Sequence, residues 1–69
     1  MTGMVSAFSE DRGLGEITAD DATLYPFHCT MIADGTRTIA VGTRVVFAIV
    51  PGFLGRWEAA AIRPARAGS

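Results

Sequence analysis

Apolar and polar residues alternate along most of this chain with the period of two that belongs to half-buried β-strands. Residues 4–8 read as a first strand, with Val5 and Ala7 facing one way and Ser6 the other. Ser9-Glu10-Asp11-Arg12-Gly13 is a polar turn whose glycine can supply a positive φ. A second strand follows over residues 14–18, where Leu14 and Glu16 share one face and Gly13, Gly15 and Ile17 the other. After the polar corner Ala19-Asp20-Asp21-Ala22-Thr23, a third strand runs over residues 24–29. Pro26 within it has no N–H to give to a ladder, so this strand needs a free edge or a bulge there.

Residues 30–42 contain Asp34-Gly35 and Gly42 and read as a long connection with a helical turn near Met31. Residues 43–50 form the clearest strand, in which Val45, Phe47 and Ile49 alternate with Arg44, Val46 and Ala48. Pro51-Gly52-Phe53-Leu54-Gly55 ends it, and residues 57–63 make a last strand. The run Ala59-Ala60-Ala61 favours helix by propensity, but seven residues between Gly55 and Pro64 are too few to hold one. Five short strands with glycine-rich turns predict an all-β fold, a small five-stranded antiparallel barrel. Residues 1–3 are expected as a short N-terminal extension, 4–64 as the domain and 65–69 as a polar C-terminal tail.

Size and composition narrow the class. At 69 residues the chain suffices for one small domain, which buries only about 60% of its unfolded-chain surface. A hydrophobic content of 49% excludes a chain too polar to form a core. No apolar run approaches the roughly 20 residues that cross a bilayer, and Met1-Thr2-Gly3-Met4 lacks the pattern of a signal peptide. Cys29 is the sole cysteine, so no intrachain disulfide forms, in keeping with a reducing compartment and a cytoplasmic location. Charge changes the picture more. Six arginines and no lysine face seven acids, for a net charge of −1. Nucleic-acid binders draw most of their non-specific affinity from a basic excess. Any phosphate-binding surface here has to be a local arginine patch.

Catalytic and metal chemistry find no footing. His28 and Cys29 are neighbours in the third strand, so their side chains point to opposite faces and cannot act together as base and nucleophile. The same geometry denies them a shared metal, and there is no second histidine or cysteine. Asp20-Asp21 occupies a turn with no partnering acid or base. Gly13-Leu14-Gly15 lacks the further glycine and the helix of a phosphate loop. No enzyme activity, metal or cofactor is expected.

Two segments carry a family resemblance. Arg12-Gly13-Leu14-Gly15-Glu16-Ile17 is similar to the first ribonucleoprotein motif of the bacterial cold-shock domain, which reads like KGFGFI. Tyr25-Pro26-Phe27-His28-Cys29 is similar to its second motif, which reads like VFVHF. Asp34-Gly35-Thr36-Arg37-Thr38-Ile39, Gly42 and Val45-Val46-Phe47 follow that family's loop and fourth strand, and Gly52, Gly55, Ala59 and Ile62 its last hairpin. The resemblance covers residues 4–64 and implies an OB-type barrel that binds single-stranded RNA or DNA. In that frame Val5, Ile17, Ile32, Val45, Phe47 and Ile62 fall at core positions, and Tyr25 and Phe27 stand where the family has inward valines.

The chain departs from the family where its function resides. The tryptophan of the first strand becomes Ala7, and the rings of the first motif become Leu14 and Glu16. The stacking phenylalanines of the second become Pro26 and Cys29, and a loop aromatic becomes Thr36. Each base stacked on a ring is worth about 1–3 kcal/mol, so these losses imply weak or altered binding. Glu16 adds a negative charge to a face that phosphates approach. The residues left for nucleic acid are Phe8, Arg12, His28 and Arg37, with Arg56 and Trp57 as a displaced platform. Each also has a plainer reading as packing or as a solvated side chain. An alternative is a protein-interaction or self-association surface through Phe53, Leu54 and Trp57, giving a protein partner or a homodimer. Trp57 as a buried cap on the barrel end is the third reading.

Overall fold

A computed structural model of the protein describes residues 1–33, 35, 37–52 and 55–65. Asp34, Thr36, Phe53, Leu54 and residues 66–69 lie outside that set, and with them two of the three residues of the expected protein-contact surface. The strands are β1 (Thr2–Ser9), β2 (Leu14–Ala19), β3 (Leu24–His28), β4 (Arg44–Pro51) and β5 (Trp57–Pro64). They form one antiparallel sheet in the order β3-β2-β1-β4-β5. The ends of the sheet then meet: β3 lies against β5, and Ile32 bridges to Ile62 in parallel. This is the small barrel that the strand pattern predicts, of the OB type that the resemblance implies.

The boundaries differ from expectation in ways that pairing explains. β1 starts at Thr2, because Gly3 is buried between Ala19 on β2 and Val45 on β4. Thr2 and Gly3, expected as an extension, are therefore part of the barrel. β3 stops at His28, since Cys29–Met31 coil into a single 3₁₀ turn. The third strand keeps Pro26 in register opposite Glu16, and does so as the end strand of the hydrogen-bonded ladder. That is the free edge its missing N–H demands.

Among the described residues nine apolar side chains form the core: Val5, Ile17, Ala19, Phe27, Ile32, Val45, Phe47, Ala59 and Ile62. All six expected core residues are among them. Tyr25 and Phe47 meet at 5.7 Å between ring centroids, tilted by 57°, an arrangement aromatic pairs favour. Alternation fails in two places. The β1–β2 register slips between Val5 and Ala7, and this bulge turns Ala7 to the exposed face rather than the inward one expected. The β4–β5 register slips between Val46 and Ala48, beside Ala61 with its positive φ of 51°. Bulges of this kind bend strands and so help a five-stranded sheet close.

Candidate nucleic-acid interface

The exposed side of β2 and β3 is fixed by their register. Leu14 stands opposite His28, Glu16 opposite Pro26 and Thr18 opposite Leu24, while Ala7 of β1 flanks Glu16. Residues directly opposite share a face, so these seven form one surface. Leu14 and Leu24 are 41% and 54% exposed. Gly15, Ile17 and Phe27 occupy the inner side.

One end of this surface holds Arg12 and His28, with Arg37 in the loop bonded to the same turn, whereas Phe8 pairs with Gly15 on the inner side. The turn after β1 closes through Gly13 N–H donating to the Ser9 carbonyl at 2.9 Å. Cys29 N–H in turn donates to the Gly13 carbonyl at 2.7 Å, which ties the turn bearing Arg12 to the strand end bearing His28. Gly13 has φ 65°, and an added Cβ would sit 2.9 Å from the Cys29 sulfur, so backbone and space both call for glycine. Arg12, His28 and Arg37 are all exposed. Arg37 adjoins Thr38, whose hydroxyl donates to a Glu10 carboxylate oxygen at 2.8 Å and holds that loop against the turn.

Phe8 is half-buried and stacks on the core ring of Phe27, with centroids 6.0 Å apart and planes within 11°. It lines a shallow groove with Ser9, Glu10, Asp11, Thr38, Ile39, Ala40 and Val41. Its lining mixes apolar side chains with the acids Glu10 and Asp11.

Arg56 and Trp57 stand at the other end. Together with Thr23, Leu24, Tyr25 and Pro26 they line a notch where β5 begins beside β3. Trp57 is 58% exposed, which overturns its reading as a buried cap. The notch itself was missed in the sequence, because only barrel closure brings residues 23–26 alongside residues 56 and 57. Pro26 on the outward register of β3 was the available signal. Phe53 and Leu54, the rest of the alternative contact surface, lie outside the described residues.

The electrostatics follow from exposure. Among the described residues the one salt bridge joins Arg44 to Asp20 at 3.2 Å, and Arg12, Arg37, Arg56 and Arg63 make none. The Thr2 hydroxyl donates to Asp20, and this bond, with Arg44 beside it, holds the Asp20 carboxyl below its ordinary value. Asp21 is held low chiefly by the Thr23 N–H, which donates to it at 3.0 Å. Among the described residues no three histidine, cysteine or carboxylate side chains cluster to hold a metal ion. No described helix is long and apolar enough to cross a membrane.

No family model matches the chain. It is similar to Cold shock protein 1 of Arabidopsis thaliana, at 34% identity over 70 residues that take in 99% of this chain and 23% of that protein. The chain thus spans under a quarter of the length of that relative. This similarity and the five antiparallel strands together support a cold-shock domain.

Proposed function

We propose that this chain is a cold-shock-type domain that binds single-stranded RNA or DNA, with weakened affinity, across the outer face of β2 and β3. The observation that carries this reading is an arginine without a salt bridge among the described residues at each end of that face, Arg12 near His28 and Arg56 beside Trp57. Phosphates are drawn to the ends, and bases meet what apolar surface remains between them. Arg37 adds a third cation beside the β1–β2 turn, and Phe8 offers a ring edge in the groove. Weakness follows from aliphatic, imino and acidic side chains at Leu14, Pro26 and Glu16, where the cold-shock pattern has rings. The chemistry is reversible binding with no covalent step, in a reducing, cytoplasmic setting that leaves Cys29 unpaired.

Anisotropy of a labelled oligothymidine, titrated with the protein at low and at physiological salt, tests this. Binding is expected at low salt and should fall steeply as salt rises. Arg12→Ala and Arg37→Ala should each reduce the slope of log K against log salt by about one. No binding at low salt would overturn the reading.

The exposure of Trp57 beside the exposed Leu24 favours a second reading, a protein-interaction or self-association surface. Association through it would tolerate salt and would be lost in Trp57→Ala while the barrel stays folded.

A further inference from the structure

The notch between the start of β5 and the start of β3 has the parts of a nucleotide site. Its walls are the Trp57 indole and the aliphatic and ring surfaces of Leu24 and Pro26, and the Arg56 guanidinium stands beside them. Of its six lining residues none is acidic. The groove at the opposite end of the barrel, by contrast, carries Glu10 and Asp11. Arg56 is exposed and makes no ion pair among the described residues. An apolar slot beside an uncompensated cation suits a flat, uncharged base whose own phosphate is anionic, and it discriminates against a basic peptide.

The position of Trp57 in its strand sharpens this. It pairs with Pro51 and lies two residues before Ala59, which is fully buried. The alternation of β5 therefore aims position 57 toward the barrel axis. At the barrel end there is no interior left to fill, so the indole stays 58% exposed and borders Leu24 and Pro26 instead. Pro26 is the β3 position at which the cold-shock pattern carries a stacking phenylalanine. The ring missing from β3 is thus supplied from β5.

We infer that the notch of Leu24, Pro26, Arg56 and Trp57 is a base-stacking subsite, relocated from β3 to β5, with Trp57 as the platform and Arg56 as the phosphate contact. This rests on the single-strand-binding reading and specifies one of its subsites. A strand rises about 3.3 Å per residue, so Leu24 and His28 lie about 13 Å apart along β3. A few nucleotides span that distance, which lets one strand reach from Trp57 to the cations at the other end.

Trp57 is the chain's single tryptophan, so its emission reports on this notch alone. The experiment titrates the full chain with hexathymidylate at low salt and follows both tryptophan emission and the anisotropy of a labelled copy. Emission is expected to change along the same isotherm as anisotropy. Trp57→Ala should weaken binding by about tenfold or more, Trp57→Phe should recover most of it, and Arg56→Ala should flatten the salt dependence. A hexanucleotide made wholly of abasic sites should bind wild type and Trp57→Ala alike. If anisotropy rises while emission stays constant and Trp57→Ala binds as wild type does, the subsite is refuted and nucleic-acid binding stands. If anisotropy does not rise at all, the single-strand reading fails and the subsite falls with it.

Discussion

Glu16 sits at the middle of the outer face, opposite Pro26 on one side and Ala7 on the other, with no cation paired to it among the described residues. Its backbone carbonyl is engaged by the Ser6 hydroxyl at 3.2 Å, but its side chain faces whatever approaches. A phosphate chain passing from Trp57 to His28 has to cross this carboxylate. Exposed charge pairs are worth about 0.2–1 kcal/mol. Glu16→Gln is therefore expected to tighten oligonucleotide binding at low salt by up to about fivefold, and the gain should vanish as salt screens the charge. Anisotropy titrations of the two proteins at two salt concentrations measure this. An unchanged affinity at low salt would place the bound strand elsewhere. Leu14, 41% exposed beside His28, has the opposite character, an apolar surface with no ring.

Among the elements, β3 depends most on its neighbour. Gly15 of β2 faces Phe27 so closely that an added Cβ would fall 2.3 Å from the ring's Cζ and 2.9 Å from the Ala7 carbonyl oxygen. Phe27 is 1% exposed and already stacked on Phe8, so it has nowhere to move. Gly15→Ala should cost about 1–3 kcal/mol, read as a lower urea midpoint at an unchanged slope. For a domain whose whole stability is about 3–10 kcal/mol, that loss is large. Most of the element pattern was legible in the residues. Val45, Phe47 and Ile49 announced β4 by strict alternation, and Asp34-Gly35 and Gly42 marked the connection before it. Ala7 was misplaced because a bulge shifts register without a marker of its own: Ser6 is an ordinary strand residue. At the candidate site, the motifs marked Arg12 and His28 as candidates, while Trp57 was marked by residue type alone, with its exposure left open. Its exposure depends on where the barrel ends, which no local pattern encodes.

Over the whole molecule, the exposed acids of the β2–β3 turn tie separate strands together. Asp20 accepts from Thr2 on β1 and pairs with Arg44 on β4. Asp20 and Asp21 both titrate below their ordinary value of 3.8 in the folded barrel. Groups depressed in this way stabilise the fold above their unfolded pKa, and that contribution is lost as pH falls through the folded one. The melting temperature is expected to decline as pH drops from about 5 toward 2, and less steeply in Asp20→Asn; equal slopes would remove Asp20 from the account. The seam between β3 and β5 bears on how the barrel moves in time. It is tied by Ala33 N–H donating to the Ile62 carbonyl at 2.7 Å and by the Ile32–Ile62 bridge, in place of a ladder along β3. Opening there breaks few backbone hydrogen bonds, so it needs less free energy than global unfolding. Amide protons along this line are expected to exchange with solvent earlier than those of the β1–β2 pair, as hydrogen-exchange measurement would show. If a ligand lodges between Trp57 and Leu24, as we infer, it would touch both strands of the seam and act as a clasp, its free concentration setting how often the barrel opens.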